Sequence, residues 1–576
     1  MLKLIKYLKP YLWQLAAVIA LTYVQVMATL RLPDYTAQIV NEGIVQGDNS
    51  FILHTGAIML LVSLLGGASM IGAGYFAARL AAGFSQDLRN KIFSKVESFS
   101  LVEFNKFSTA SLITRSTNDI QQIQMVILML LRLALMAPIM GIGAVVKAYQ
   151  LAPHMTWIMA ISVGTIFIIV SVLFVLAVPK FKILQTMIDR LNLITREILT
   201  GLRVIRAFNN EKYEENKFDK TNTDLTKINL FINRLMVILQ PVMILILNLT
   251  ALGIVWVGSH YISTNNLAIG NMLAFLQYAM QVIMSFLFLT IIFIMVPRAS
   301  VSGDRVAEVI NQDLSIKNPE KPQKTKTNIG DIEFKNVFFS YPEADIPVLE
   351  DINFKAESGQ TTAIVGGTGS GKSTIINLIP RFYDATKGEI LIDGANVKNI
   401  KQEELHQKIG YIPQKAVLFS GSLEENIKYG APNTTIKDIR HAAKIAQADE
   451  FINSLPQKYQ TPVAQGGKNF SGGQKQRISI ARALVKKPEI YIFDDSFSAL
   501  DFKTDSILRK ELKKETKNKT VIIIAQRIST IINAEKIIVL DEGKIVATGN
   551  HKNLMKTCQI YREIALSQLS EEELNK

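Results

Sequence analysis

The segment Gly366–Ser373, GGTGSGKS, carries the most specific chemical signal in the sequence. It matches the pattern G-x-x-x-x-G-K-[ST], follows an apolar run at Thr361–Val365 and opens a predicted helix at Lys372–Ile379. In such a loop the backbone N–H groups wrap phosphates, the lysine reaches the outer phosphates and the serine hydroxyl can coordinate Mg²⁺. We therefore assign phosphate contacts to Gly366, Gly367, Thr368, Gly369, Ser370, Gly371, Lys372, Ser373 and Thr374.

Two other segments could act on the same ligand. Ile490–Asp494 is an apolar strand that ends in a carboxylate, and a carboxylate at the end of such a strand can hold Mg²⁺. Ser471, Gly472 and Gly473 precede a predicted helix that runs toward Leu484. The N-terminus of this helix is suited to a phosphate, although an ordinary capped helix has the same pattern.

The elements that position these residues follow a long apolar half of the chain. Hydrophobic residues make up 49% of the 576 residues and charged residues 19%. Because soluble chains carry roughly 25% charge, a soluble enzyme is disfavoured, and disorder is excluded. The single cysteine, Cys558, excludes an intrachain disulfide. Six apolar stretches are long enough to span a membrane: 12–32, 54–80, 126–147, 156–179, 235–259 and 271–297.

Lysine and arginine predict the orientation of these spans. They occur in the leader Met1–Pro10 and in the two long loops that follow spans two and four, but are absent from the first outer loop, Asp34–Ser50. This alternation places both termini on the cytoplasmic side. The excess of 63 basic over 49 acidic residues is typical of loops beside anionic lipid, and six spans disfavour a nucleic-acid-binding protein.

The domain organisation follows from these patterns. Ser85–Phe99 and Leu191–Phe208 read as helices that extend the spans into the cytoplasm. Residues 313–330 are polar and read as a linker, and short strands alternate with helices from Asp331 onward. We therefore predict an all-α six-helix transmembrane domain at 1–312, a linker at 313–330 and an α/β P-loop NTPase domain at 331–576.

Phe470–Gln474, FSGGQ, resembles the signature motif of ATP-binding cassette (ABC) proteins. Gly366–Ser373 and Ile490–Asp494 resemble that family's Walker A and Walker B motifs, and Ser498–Asp501 resembles its D-loop. Six spans followed by one cassette resemble an ABC exporter half-transporter. The resemblance implies ATP as ligand, adenine stacking on Tyr341, and Mg²⁺ bound by Ser373, Gln414 and Asp494. It also implies nucleotide contacts from Ser471, Gly472, Gly473, Gln474 and Asp501.

The resemblance further implies a dimer of half-transporters in a bacterial cell (inner) membrane. Two cassettes would enclose two nucleotides head to tail, so that each site takes its signature motif from the other chain. Short coupling helices at the ends of the extended spans would dock on the cassettes, one on the chain's own cassette and one on the partner's.

The sequence departs from the family's pattern where hydrolysis would occur. Asp495 stands where a glutamate usually polarises the attacking water, and Gln526 stands where a histidine is usual. Gln465 replaces a usual glutamate in VAQGG. Asp495, Gln526 and Gln414 are the candidate catalytic set, and Gln465 is not part of it. The pattern resembles the degenerate-site subunit of bacterial heterodimeric multidrug exporters, which implies slow hydrolysis at this chain's own site.

The spans offer candidate substrate contacts. Gln277, Gln281 and Ser285 form a polar stripe on span six, Gln240 lies on span five, and methionines and aromatics lie nearby. This pattern fits a hydrophobic drug-like or lipid-like substrate, although helix packing explains it equally well. The alternatives are a lipid flippase of the same architecture, and a regulatory ATP-binding subunit whose partner performs the turnover.

Overall fold

The computed structural model describes residues 2–323, 330–342, 344 and 346–570, so residues 324–329 of the predicted linker lie outside the described residues. The chain divides into two compact units. The first combines Met1–Glu97 with Thr109–Gln312, and the second combines Ser98–Ser108 with Asp313–Lys576.

Six helices in the described residues are long and apolar enough to cross a membrane, as predicted. These spans are Leu4–Ile44, Asn49–Glu97, Thr109–Leu151, Pro153–Ala207, Glu211–Ser263 and Ile269–Ile292, the last within a helix that continues to Ile310. Span two packs against span one and buries a series of small residues, Gly66, Ser69, Ala73 and Ala77. A Cβ added at Gly66 would lie 3.2 Å from the Cβ of Ala28, so the absence of a side chain permits this close approach.

The helices of the first unit extend well beyond a bilayer. Thr156–Ala207 has 52 residues and Glu211–Ser263 has 53. At 1.5 Å per residue each is about 80 Å long, more than twice the hydrocarbon thickness. The predicted extension at Ser85–Phe99 continues span two to Glu97, and the predicted extension at Leu191–Phe208 continues span four to Ala207.

The start of the first outer loop was predicted wrongly. The helix Leu12–Gln38 continues past Asp34 and is followed by a π-helical segment, Ile39–Ile44. The charge of Asp34 does not end the helix because Lys147 pairs with it at 2.7 Å and the hydroxyl of Tyr278 donates to it at 2.6 Å.

The first predicted coupling helix is present and belongs to the cassette unit. It spans Leu101–Phe107 and begins with a capping box between Ser100 and Glu103. Leu101 and Val102 pack against the cassette core. The second long inner loop contains no separate coupling helix. Spans four and five are joined there by the turn Phe208–Asn210, with Asn209 at a φ of 51°.

The cassette unit is built on two main sheets. The strands are β1 Ile332–Phe339, β2 Leu349–Ala356, β3 Thr361–Gly366, β4 Lys387–Ile392, β5 Ala395–Asn396, β6 Ile409–Ile412, β7 Gly421–Ser422, β8 Pro462–Val463, β9 Ile490–Asp494, β10 Thr520–Ile524, β11 Lys536–Asp541 and β12 Lys544–Gly549. One sheet has the order β12-β11-β3-β10-β9-β6 and the other has the order β2-β1-β4-β5.

Helices cover the six-stranded sheet. The α-helices of the cassette are Lys372–Leu378, Gln402–Lys408, Leu423–Lys428, Ile436–Ile445, Asp449–Ser454, Gly472–Val485, Phe502–Glu515, Ile528–Ile531, His551–Thr557 and Gln559–Leu566. Successive residues of the central strands enter opposite cores. Tyr491 and Phe493 of β9 join one hydrophobic cluster, and Ile490 and Ile492 join the other. Burial on both faces explains why these strands are continuously apolar.

Candidate nucleotide-binding and catalytic site

The site residues meet because four strands run parallel and end at one edge of the sheet. β3, β10, β9 and β6 are neighbours in that order and are paired in parallel. The phosphate loop follows β3, Gln526 follows β10, Asp494 and Asp495 close β9, and Gln414 follows β6. Residues far apart in sequence therefore lie side by side, which is the usual position for a ligand in an open α/β sheet.

The phosphate loop has a conformation that requires its glycines. Gly369 and Gly371 have φ values of 84° and 97°, which only glycine adopts without strain. A Cβ at Gly366 would collide with the carbonyl oxygen of Leu540. A Cβ at Gly367 would meet open space, so the loop's outer surface remains available to a ligand.

Lys372 closes the loop on itself. Its Nζ donates to the carbonyl oxygens of Gly366 at 3.0 Å and Gly367 at 2.6 Å, and lies 3.4 Å from the Ser370 hydroxyl. Burial lowers the pKa of Lys372, while the carboxylates of Asp495 and Asp494 act in the opposite direction. The ammonium group is thus held by the backbone of the phosphate loop itself.

Tyr341, the predicted adenine contact, lies beside the phosphate-loop helix. Its hydroxyl is 3.1 Å from the hydroxyl of Thr374, and its ring makes edge contacts with Phe339 and Tyr383. These contacts fix the ring next to the first turn of Lys372–Leu378. The structure therefore brings Tyr341 and Thr374 together, although separate roles were predicted for them.

Two adjacent carboxylates are buried at the end of β9. Burial and the charge of Asp495 raise the pKa of Asp494, while a hydrogen bond from Tyr411 and the charge of Lys372 act against that shift. A buried carboxylate beside a like charge is a group whose ionised form a bound cation would stabilise.

The predicted magnesium ligands fit that ion. Ser373, Gln414 and Asp494 supply a hydroxyl, an amide oxygen and a carboxylate, which are the hard oxygen donors that Mg²⁺ binds together with phosphate oxygens. Gln414 uses its Nε2 to donate to Asp495, which leaves the amide oxygen for a metal.

Asp495 joins three of the loops that border the site. Its Oδ2 accepts from Nε2 of Gln414 at 3.4 Å, and its Oδ1 accepts from the backbone N–H of Gln526 at 3.3 Å. Its own N–H donates to the carbonyl of Ile524 at 2.8 Å, and its φ is 45°, uncommon for a non-glycine residue. The structure thus brings the three candidate catalytic residues into contact, and Asp495 is the central member.

The signature segment forms a capped helix with an open end. Ser471 caps Gly472–Val485 through a capping box with Gln474, so the ordinary feature that the sequence allowed is present. Ser471 and Gly472 are nevertheless exposed, and a Cβ at Gly472 would meet no atom within 4 Å. Asp501 caps Phe502–Glu515 by accepting from the N–H of Thr504 at 2.9 Å, and hydrogen bonds with Thr504 lower its pKa.

Gln568 is a site residue that the sequence did not indicate. Its Nε2 donates to the carbonyl of Gln526 at 2.7 Å, and its Oε1 accepts from the N–H of Ile528 at 2.8 Å. One side chain from the C-terminal region thus holds the loop after β10 at two backbone positions. Gln568 follows the helix Gln559–Leu566 and belongs to no sequence motif, so this contact is found only in the structure.

The three candidate substrate glutamines lie in different environments. Gln281 is half-buried, and its buried Oε1 has no hydrogen-bond partner among the described residues. Gln277 is half-buried and Gln240 is exposed. Ser285, from the same predicted stripe, donates to the carbonyl of Val282 and lies against Gly141 of span three, so it has a packing role.

The fold and the site together define a membrane protein with an attached P-loop ATPase. Residues 349–498 match the ABC transporter family, and residues 15–286 match the ABC transporter transmembrane region. The chain therefore belongs to the ABC transporter family. It is an exporter half-transporter, a multi-pass membrane protein whose cassette binds ATP and hydrolyses it for transport.

Similar proteins cover almost the whole chain. An uncharacterised ABC transporter ATP-binding protein of Mycobacterium tuberculosis is 39% identical over 98% of this chain and 97% of its own length. The multidrug resistance-like ATP-binding protein MdlA of Buchnera aphidicola is 35% identical over 89% of this chain and 87% of its own length. A bacterial Atm1-family ABC exporter with ATP bound shares the fold, with a TM-score of 0.82 at 24% identity and coverage of 98% and 99%.

Proposed function

We propose that this chain is one half of a heterodimeric ABC exporter with two unequal ATP sites, and that its own Walker motifs form the slow site. The observation that carries this proposal is the position of Asp495. Both oxygens of its carboxylate accept hydrogen bonds from the protein, one from Gln414 and one from the backbone of Gln526.

The short side chain explains the slow rate. A glutamate at position 495 would extend the carboxylate by about 1.5 Å, the length of one carbon–carbon bond. A displacement of about 1 Å in a catalytic group can cost on the order of 100-fold in rate. Gln526 is exposed and can donate an amide hydrogen bond to a phosphate, but it cannot supply the positive charge of a protonated histidine.

For this site we propose the nucleotide contacts that the sequence motifs predict. Lys372 and the loop N–H groups bind the phosphates, Tyr341 contacts adenine, and Ser373, Gln414 and Asp494 hold the metal. Bound Mg²⁺ would neutralise charge on the phosphates. Because nucleotide contacts remain while Asp495 is short, the site is suited to hold ATP longer than it hydrolyses it.

The signature segment of this chain serves the partner's site. Ser471 and Gly472 are exposed at a helix N-terminus and Gly473 is half-buried there, and such a terminus stabilises a phosphate through its free N–H groups and its dipole. The exposed Phe208 at the turn between spans four and five offers an apolar contact for the partner's cassette.

The proposed cargo is a hydrophobic drug-like or lipid-like compound. The unpaired buried Oε1 of Gln281 supports this, because a polar atom inside a helix bundle needs a partner from a ligand or water. The exposed Met280 and Met284 beside it could adapt to varied ligands. MdlA, described as multidrug resistance-like, is consistent with such a cargo. We place the protein in the bacterial inner membrane with its termini and cassette in the cytoplasm. We propose a transmembrane domain at 1–312, of which Ser98–Ser108 belongs to the cassette unit, a linker at 313–330 and a nucleotide-binding domain at 331–576.

The test uses the purified full chain without a partner, in lipid nanodiscs. We expect ATP turnover well below about 1 per second, the lower end of the range that is ordinary for enzymes. The double variant Asp495→Glu with Gln526→His should raise it by at least about ten-fold, since it restores the longer carboxylate and the ring. A matched control, Gln465→Glu, restores the third departure from the family pattern, which lies outside the candidate catalytic set, and should leave turnover unchanged. Fast turnover by the unmodified chain would contradict the proposal.

A further inference from the structure

An open groove lies at the basic end of spans one and two, before the first apolar stretch. Its volume is about 470 Å³. Three lysines line it together with one tyrosine, one asparagine and one aspartate: Lys6, Lys9, Lys91, Tyr7, Asn90 and Asp87. The Lys/Arg distribution places this end of the spans at the cytoplasmic face of the membrane.

Two of these lysines, Lys6 and Lys91, lie near the same aromatic ring. Nζ of Lys91 lies 4.8 Å from the centre of the Tyr7 ring, and Nζ of Lys6 lies 5.1 Å from the same ring. The only acid that lines the groove, Asp87, accepts from the hydroxyl of Tyr11 at 2.9 Å. In the part of the chain that the structure describes, no carboxylate forms an ion pair with any of the three lysines.

An aromatic cluster marks the membrane boundary beside this groove. Trp13 packs edge-on against Phe76 at 5.4 Å, and Tyr75 packs edge-on against the same ring. Arg79 donates to the hydroxyl of Tyr75 at 3.1 Å. Tryptophan and tyrosine with a nearby arginine are typical of the level where acyl chains give way to headgroups. The groove lies on the polar side of this boundary.

We propose that this groove binds the phosphate of an anionic phospholipid from the cytoplasmic leaflet. Lys6 and Lys91 approach the phosphate from two sides, and Lys9 and Asn90 supply further donors at the rim. The acyl chains run past Trp13, whose side chain is 59% exposed. A bound phosphate would lower the electrostatic repulsion among the lysines that line the groove, and each lysine should contribute about five-fold in affinity.

Trp13 provides a local reporter for the test. The chain has three tryptophans. Trp157 and Trp256 lie near the outer ends of spans four and five, far along the helices from their cytoplasmic ends. In the full chain with Trp157→Phe and Trp256→Phe, quenching of Trp13 is measured in phosphatidylcholine vesicles that contain brominated phosphatidylglycerol or brominated phosphatidylcholine. We expect stronger quenching by the anionic lipid. Lys6→Gln with Lys91→Gln should reduce this preference by about ten-fold or more.

The controls separate the groove from general surface charge. Arg89→Gln removes the same charge from an exposed position on the same helix outside the groove, and it should leave the preference unchanged. Lys6→Arg with Lys91→Arg should retain the preference, which shows that the charge is what matters. An equal loss in Arg89→Gln, or no loss in the glutamine pair, would overturn the proposal. If inorganic phosphate at millimolar concentration abolishes the preference, the groove is a site for free phosphate, and the lipid assignment is wrong.

Discussion

Gln568 offers a direct way to test how the loop after β10 is held. The helix Gln559–Leu566 is seated by Tyr561 and Ala565, which are fully buried. This anchoring places Gln568 where its Nε2 and its Oε1 both form hydrogen bonds with the loop backbone. The N–H of Ile528 belongs to the free first turn of the helix Ile528–Ile531, which has no side-chain cap from Arg527. Gln568 therefore takes the role of a cap supplied from the C-terminal region.

The magnitude follows from the two hydrogen bonds. Each contributes about 0.5–1 kcal/mol at a partly exposed position, so Gln568→Ala should lower the local stability of the loop by about 1–2 kcal/mol. Hydrogen–deuterium exchange of peptides covering residues 524–530 should become about 5- to 30-fold faster, because the amide of Ile528 loses its acceptor. The measurement is made by mass spectrometry on the full chain without nucleotide.

The matched control is Gln559→Ala. Gln559 lies in the same helix, and its amide donates to Glu563 one turn away. This variant should leave exchange at 524–530 unchanged. If Gln568→Ala leaves that exchange equal to the parent's, the two hydrogen bonds do not hold the loop. If exchange at Tyr561 also accelerates, the variant has loosened the helix itself and the reasoning about the loop fails.

Three further predictions concern the nucleotide and substrate sites. Lys372→Ala should weaken binding of labelled ATP to the full chain by more than about ten-fold, since the lysine supplies charge to the outer phosphates, and unchanged affinity would contradict our account of the loop. Asp494→Asn should raise the unfolding temperature of the nucleotide-free protein by about 2–4 °C at neutral pH, the shift that 1 kcal/mol produces in a domain of this size. The pKa of Asp494 is raised in the folded state, so the protonated carboxyl stabilises the parent protein at low pH. The parent should lose that stability as the pH rises through the raised pKa, and scanning calorimetry of Asp494→Asn should show no such loss. Alanine at the three candidate substrate glutamines should change the range of exported compounds in a cellular assay while sparing basal ATPase, and an unchanged range would leave them a packing role only.

Much of the cassette could be predicted from local patterns. The predicted strands at Thr361–Val365 and Ile490–Asp494 are observed at Thr361–Gly366 and Ile490–Asp494, because continuous apolar runs suit strands buried on both faces. The glycine-rich loop was predictable since its positive φ values and close approach to Leu540 exclude other residues. These features depend on residues that are close together in the sequence, so one sequence is enough to predict them.

Contacts between distant residues could not be predicted in this way. The cluster of Asp34, Lys147 and Tyr278 joins three spans, and no periodicity in any one of them indicates it. The assignment of Leu101–Phe107 to the cassette unit depends on Asn105, which donates to Tyr383 at 3.4 Å, and on Glu103, which accepts from the backbone of Ser315. Such pairs are set by tertiary packing, so the predicted domain boundary omitted them.

The central claim is that the two ATP sites of the assembled exporter differ, and the ATPase of that complex tests it most directly. The exporter is purified from its native membrane through a tag on this chain, and two variants of this chain are compared. Ser471→Ala removes a donor from the partner's fast site and should lower ATPase by on the order of 100-fold, whereas Asp495→Asn changes only the slow site and should lower it by less than about two-fold. If Asp495→Asn abolishes ATPase while Ser471→Ala leaves it intact, this chain's own site is the working one and the account is wrong.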